Sequence, residues 1–179
     1  MNFCTQCGGR LEFRIPPGDH LGRHVCDACG TIHYQNPRLI VGCVPEYAGR
    51  ILLCRRAIEP RRGYWTVPAG FMENGETLQQ AAARETREEA LAAVDVGSLL
   101  AVVHVLHAQQ VHVFFRAGLA APDFGAGPES LEVELVRPEE IPWPQLAFPS
   151  TEFTLRRYFE DRAAGMEPHH FTTLDRRLE

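Results

Sequence analysis

The segment Arg84-Glu85-Thr86-Arg87-Glu88-Glu89-Ala90 carries three glutamates, Glu85, Glu88 and Glu89, at spacing i, i+3, i+4. On a helix that spacing turns all three carboxylates to one face. Like charges so placed work against the helix that carries them. Either the face is solvated, or something strongly positive sits against it. Thr77 and Gln80 stand at capping-box spacing, and Leu78, Ala81, Ala82 and Ala83 are helix formers, so the sequence predicts a helix from Thr77 to about Ala92.

The rest of the chain limits what such a face can do. At 179 residues, with 45% hydrophobic and 23% charged side chains, it has the composition of a globular domain of ordinary size with a small appendage. A formal net charge of −5 argues against nucleic acid as the main partner. All 18 basic residues are arginine. Chemistries that need lysine are therefore excluded: a P-loop lysine, a Schiff base, a Ser-Lys dyad. Arginine favours bidentate contacts with phosphate, so phosphate recognition stays open. The opening Met1-Asn2-Phe3-Cys4 has no basic and apolar leader pattern, and the longest apolar run, residues 99–106, is too short to span a bilayer. The expected location is cytoplasmic, with no membrane partner.

Four of the six cysteines form two Cys-x2-Cys pairs, Cys4/Cys7 and Cys26/Cys29, with 18 residues between them. That spacing matches a tetrahedral four-thiolate Zn2+ ribbon, and Gly8, Gly9 and Gly30 suit the tight turns of its knuckles. Disulfides and a redox pair are the alternatives, the first disfavoured by a cytoplasmic setting. His20, His24 and His33 are substitute ligands that nothing requires. Cys43 and Cys54 lie in apolar runs and read as small buried hydrophobes.

Residues 39–47 and 51–56 read as strands joined at Gly49, followed by an irregular Pro- and Gly-rich stretch, residues 57–76, with a short strand. Further strands fit residues 98–107, 110–119 and 131–136, and an amphipathic helix fits residues 151–164. The last fifteen residues show no clear element. The expectation is an α/β sandwich preceded by a zinc ribbon.

Loop and helix together, Gly70 to Ala92, resemble the Nudix box, G-x5-E-x7-R-E-U-x-E-E-x-G-U. Gly70, Glu76, Arg84, Glu85, Glu88 and Glu89 fall in register, whereas Thr86, Leu91 and Ala92 replace an aliphatic residue, the second glycine and the last aliphatic residue. A leucine in the left-handed conformation that glycine serves loses about 1–2 kcal/mol, so the helix is expected to run on into Ala92 or Ala93. The resemblance implies a Nudix α/β/α sandwich with a mixed sheet over residues 37–164, a zinc ribbon over 1–36 and a tail over 165–179. It also implies that Glu85, Glu88 and Glu89 bind Mg2+ or Mn2+, with the Gly70 carbonyl as a further ligand. Arg84 then pairs with Glu76, and Glu132, ahead of Glu129, is the additional downstream acid. The reaction it implies is metal-dependent hydrolysis of a diphosphate bond.

Two subfamilies share features with the chain. Pro142-Trp143-Pro144 and Phe148-Pro149-Ser150 resemble a motif of zinc-ribbon NADH pyrophosphatases that also remove NAD caps, but here the two halves are separated and lie farther from the box. A longer similarity, across most of residues 4–162, is to the plant plastid FAD pyrophosphatase type. It implies hydrolysis of FAD to FMN and AMP, or of ADP-ribose to AMP and ribose 5-phosphate, and leads us to expect a homodimer. Tyr64 and Trp65 are candidate base-stacking residues, and Arg55, Arg56, Arg61 and Arg62 candidate phosphate contacts. Two non-enzymatic readings stay open: a zinc-ribbon nucleotide- or nucleic-acid-binding protein, and a ligand sensor without turnover.

Overall fold

A computed structural model describes residues 1–175. Two compact units divide at Pro37/Arg38. In the first, strands β1 (Leu11–Arg14), β2 (Arg23–Cys26) and β3 (Ile32–His33) form a small antiparallel sheet. Its buried hydrophobic residues are Cys4, Val25 and Cys26 alone among the described residues. So small a core cannot hold a unit of this size without help.

The second unit is built on a mixed eight-stranded sheet. Its strands are β4 (Arg38–Tyr47), β5 (Arg50–Arg56), β6 (Trp65–Thr66), β7 (Ala69–Phe71), β8 (Val94–Val105), β9 (Gln110–Leu119), β10 (Ser130–Val136) and β11 (His170–Leu174). Across the sheet the order is β10-β5-β4-β9-β8-β11, with β6 paired to β5 and β7 to β4. β4 runs parallel to β9, and β8 parallel to β11.

Helix α1 (Leu78–Ala90) covers one face of this sheet and α2 (Pro149–Ala164) the other. β9 shows why its run from Val113 to Phe115 is apolar on both faces. Val113, Phe115 and Ala117 pack with Ala81 and Ala82 of α1, while Phe114 belongs to the cluster around Leu155 and Tyr158 of α2. A strand buried on both faces loses the alternation that marks a half-buried one.

The capping box of α1 forms as its sequence suggests: Thr77 Oγ1 accepts from the Gln80 amide and Gln80 Oε1 from the Thr77 amide. Thr86, at the position of an aliphatic residue, is fully buried. Its hydroxyl donates to the Ala82 carbonyl at 2.8 Å and meets Cys43 Sγ at 3.2 Å, so a polar pair is satisfied inside the core. Burial pushes the Cys43 thiol up to about 12, which leaves it an inert packing group.

The helix does not run on. It ends at Ala90, and Leu91 caps it in the left-handed region at φ 50° and ψ 27°. Tertiary hydrogen bonds override the local preference: the amides of Gly125 and Gly127 take the carbonyls of Ala90 and Glu89, and Ala92 is buried beside Leu52 and Leu119. Leu91 itself is 59% exposed. Replacing it with glycine should therefore remove about 1–2 kcal/mol of strain, less about 0.5–1 kcal/mol of added chain entropy. A small rise in Tm is expected; a fall would show that the Leu91 side chain, not the backbone, matters here.

The last segment also departs from expectation, because His170–Leu174 add β11 to the edge of β8. Arg116 of β9 pairs with Asp161 of α2 and donates to the carbonyls of Leu99 and Pro168, and His170 Nε2 lies 2.9 Å from Asp161. A tail read as featureless is thus tied to both strand and helix. No helix among the described residues is long and apolar enough to cross a membrane.

Candidate active site

In the small unit, the sulfurs of Cys4, Cys7, Cys26 and Cys29 all lie within 4.8 Å of one another. Cys4–Cys29 is 3.7 Å and Cys7–Cys26 is 3.4 Å. A tetrahedral ion with metal–sulfur bonds of about 2.3 Å requires sulfur–sulfur edges of about 3.8 Å, so the thiols fit a closed four-sulfur site. The two knuckles are alike: Gly8 donates to the Cys4 carbonyl and Gly30 to that of Cys26, each with φ above +70°. His33 Nε2 is 3.3 Å from Cys4 Sγ and is not one of the set of four. A hydrogen bond with the Thr31 hydroxyl, joined by the Thr31 amide, draws the Cys29 thiol down to about 6, toward the thiolate a metal needs.

In the large unit, the antiparallel pairing of β7 with β4 lays Gly70 against α1. A Cβ on Gly70 would stand 2.2 Å from Glu85 Oε2, so only glycine lets the loop backbone come this close to the carboxylate. Gly70→Ala should displace the Glu85 side chain and lower any activity of this site by about a hundredfold or more. Unchanged turnover in that variant would remove Glu85 from the reaction.

Arg84 clamps loop and helix together. It donates twice to Glu76, at 3.0 and 2.7 Å, once to the Phe71 carbonyl at 3.0 Å, and through Nη1 to Glu85 at 2.7 Å and Glu88 at 3.0 Å. Its guanidinium holds the Glu76 carboxyl down at about 2. The same Nη1 therefore bridges Glu85 and Glu88 and offsets part of their mutual repulsion.

Glu85 and Glu89 are buried, whereas the Glu88 side chain is 58% exposed. Burial raises the Glu85 carboxyl. It pushes Glu89 up to about 8, against a hydrogen bond from the Ala69 amide, with the Glu85 charge adding to the rise. Two desolvated carboxylates facing a third have the donor chemistry of a hard divalent cation site.

These groups open onto a cavity of about 1530 Å3, lined by residues of the second unit only. It is larger than the few hundred to a thousand cubic ångströms of most small-ligand pockets. Arg56 and Arg61 line it, as does Phe148, over whose ring the Arg56 guanidinium lies at 5.1 Å.

Several sequence candidates lie elsewhere. Trp65 is buried in the core against α2 and pairs with Arg55 through the backbone; it is no stacking platform. Tyr64 sits under Arg61 at 5.2 Å and, with Arg55 and Arg62, stands off the cavity lining. Glu132 forms an ion pair with Arg55, at 3.4 Å, and does not line the cavity. Of the two, it is Glu129 that does, and its charge reaches both Glu85 and Glu89. The reason is a tertiary approach. Gly127 packs so tightly under α1 that a Cβ would lie 1.7 Å from the Glu88 carbonyl, which swings the following residues toward the carboxylates. A register shift between Ser130 and Glu132 then turns the strand away. The glycines at 125 and 127 were the available signal. Sequence reasoning also passed over His112 and Gln110, which form part of the same lining.

Comparison with known proteins agrees with this architecture. A zinc-ribbon family model described as Nudix N-terminal matches residues 2–35, and one described as NUDIX domain matches residues 36–158. The crystal structure of a NUDIX hydrolase from Nitrosomonas europaea superposes with a TM-score of 0.95 at 53% identity, covering 98% of this chain and 100% of that one. A protein named NAD-capped RNA hydrolase NudC, from Vibrio vulnificus, is 41% identical over 95 residues, 50% of this chain and 32% of its own length. An ADP-ribose pyrophosphatase from Methanocaldococcus jannaschii is 31% identical over 124 residues, 64% of this chain and 69% of its own. The chain thus matches about a third of the length of the first of these curated relatives. With family models matching from residue 2 to residue 158, the chain belongs to the Nudix hydrolase family, with a zinc-ribbon unit preceding the Nudix domain.

Proposed function

We propose that the protein hydrolyses the diphosphate bond of a nucleoside diphosphate derivative with the help of a divalent cation, Mg2+ or Mn2+, with FAD and ADP-ribose as leading substrates. The observation that carries this reading is the pair of buried carboxylates, Glu85 and Glu89, facing a cavity large enough for a dinucleotide. A divalent cation held there would supply Lewis-acid chemistry, offsetting charge on phosphate oxygens and lowering the pKa of water.

Glu85, Glu88 and Glu89 would hold the cation, and the Gly70 loop keeps Glu85 in place. Arg84 fixes that loop through Glu76. Glu129, beside the carboxylates and open to solvent, accepts a proton from the attacking water. Arg56 and Arg61 lie where phosphate oxygens enter. In the small unit the four thiols hold Zn2+ in a structural role, since a closed set of four leaves no position for a reacting group.

A second reading, hydrolysis of NADH or of an NAD cap, is favoured by the name of the Vibrio vulnificus relative. Chromatographic product analysis decides between them, with FAD, ADP-ribose and NADH offered separately alongside Mg2+ or Mn2+. FMN plus AMP from FAD supports the flavin reading. AMP from ADP-ribose or NADH alone keeps the chemistry and moves the substrate. Absence of turnover with all three would reject the proposal.

A further inference from the structure

The cavity continues well past the carboxylates, to a wall with different chemistry. β4 lies between β7 and β9, and Ile40 of β4 is in register with both Phe71 and His112. His112 is therefore two strand spacings from the Gly70 loop, roughly 10 Å, about the reach of a ribose and its base beyond a phosphorus.

His112 is buried, and both of its ring nitrogens are engaged. Nδ1 lies 2.9 Å from Ser150 Oγ, and Nε2 lies 2.9 Å from Gln110 Oε1. Because Gln110 Oε1 can only accept, Nε2 carries the proton and Nδ1 accepts from the Ser150 hydroxyl. Burial agrees, holding the imidazole neutral with its pKa lowered to about 4. Ser150 is itself buried in the first turn of α2.

Gln110 is half-buried and lines the cavity. Its carboxamide oxygen is taken by His112, so its NH2 group is the side that remains to donate, and among the described residues it has no protein acceptor. Ala108, Phe114 and Leu174 share this wall, which is largely apolar.

We propose that Gln110, held in orientation by the Ser150–His112 relay, is a specificity-determining residue that donates a hydrogen bond to the uncharged distal moiety of the substrate, a ribose or heterocycle presenting an acceptor. His112 and Ser150 act as positioning residues. The proposal rests on reading the cavity as a nucleoside diphosphate site, and adds which end of the molecule is recognised and by what.

The test compares kcat and KM for ADP-ribose, FAD and NADH in wild type, Gln110→Leu, His112→Leu, His112→Gln and the double variant Gln110→Leu/His112→Leu. Binding of the same nucleotides is measured by calorimetry in a Glu89→Gln background. Losing a directed donor should raise KM about tenfold for at least one hydrolysed nucleotide, with a much smaller change in kcat. His112→Leu should match Gln110→Leu, the double variant should be no worse than either, and His112→Gln, which keeps a donor at the Nε2 position, should recover most of the loss. Should His112→Leu fail to fold, Ser150→Ala takes its place in the comparison.

A KM within about twofold of wild type in Gln110→Leu, for every nucleotide hydrolysed, overturns the subsite and leaves the hydrolase reading intact. If wild type hydrolyses none of the three and the Glu89→Gln protein binds none, the hydrolase reading falls and the subsite with it.

Discussion

Glu89→Gln should abolish hydrolysis while making the metal-free protein more stable. Removal of a cation ligand at the centre of the reaction is expected to lower kcat about a thousandfold or more. The opposite effect on stability follows from burial. In the folded chain Glu89 titrates at about 8, against 4.5 for an ordinary glutamate. The unfolded chain thus releases this proton before the folded one does. Its contribution to stability is fully present below about pH 4.5, declines as pH rises toward 8, and is flat above that. Glutamine has no charge to bury. At pH 8 the variant should gain on the order of 3 kcal/mol in the absence of metal and show a Tm several degrees higher. A divalent cation should reverse the wild-type pH trend and release about one proton per site near pH 7. Calorimetry in two buffers of different ionisation enthalpy counts that proton. Binding without proton release would show that Glu89 is already ionised and that its burial is offset elsewhere.

Removal of the metal from the four thiols should unfold the small unit and spare the chemistry. Its buried hydrophobic residues are Cys4, Val25 and Cys26 among the described residues, two of them ligands themselves. A bound structural zinc is worth about 10–16 kcal/mol in small zinc peptides, far more than such a core supplies. Cys26→Ser, or chelation of the wild type, should therefore collapse hydrogen-exchange protection across β1 to β3. The cavity draws its lining from residue 40 onward, so hydrolysis should persist at a comparable rate. Loss of turnover in step with loss of zinc would instead assign the ribbon a part in substrate binding.

The parts of this molecule that were legible in sequence are those set by local chemistry. Paired Cys-x2-Cys spacing, the Thr77–Gln80 cap and the i, i+3, i+4 glutamates each encode a geometry within a few residues, and each is found in the fold. What escaped depends on distant partners. Leu91 takes a left-handed conformation because the glycines at 125 and 127 occupy the helix carbonyls. Glu129, not Glu132, faces the carboxylates because of a close backbone approach, of which the glycines at 125 and 127 are the one trace in sequence, and a register shift between Ser130 and Glu132. Trp65 was a candidate platform, although an aromatic residue in such a setting is more often core, and core is where it lies. His170–Leu174 alternate only weakly in sequence, and although Phe171, Thr172 and Thr173 suit a strand, so short a segment becomes one only against the β8 edge.

That edge strand has a consequence for synthesis. Residues 170–174 close the sheet against residues 101–105, and Thr173 and Leu174 finish one wall of the cavity. A nascent chain can assemble β4 through β9 and dock α1 while this segment is still unmade. Until it arrives, the β8 edge stands open, with unpaired amides and carbonyls along an apolar strand, the arrangement most prone to pair with another chain. The pairing is parallel and joins strands separated in the chain by β9, β10 and α2, so it is slow to form even once the residues are available. Chains stopped short of His170 should thus be lost to aggregation before their activity can be measured, and translation pausing late in the message would lengthen the same exposure.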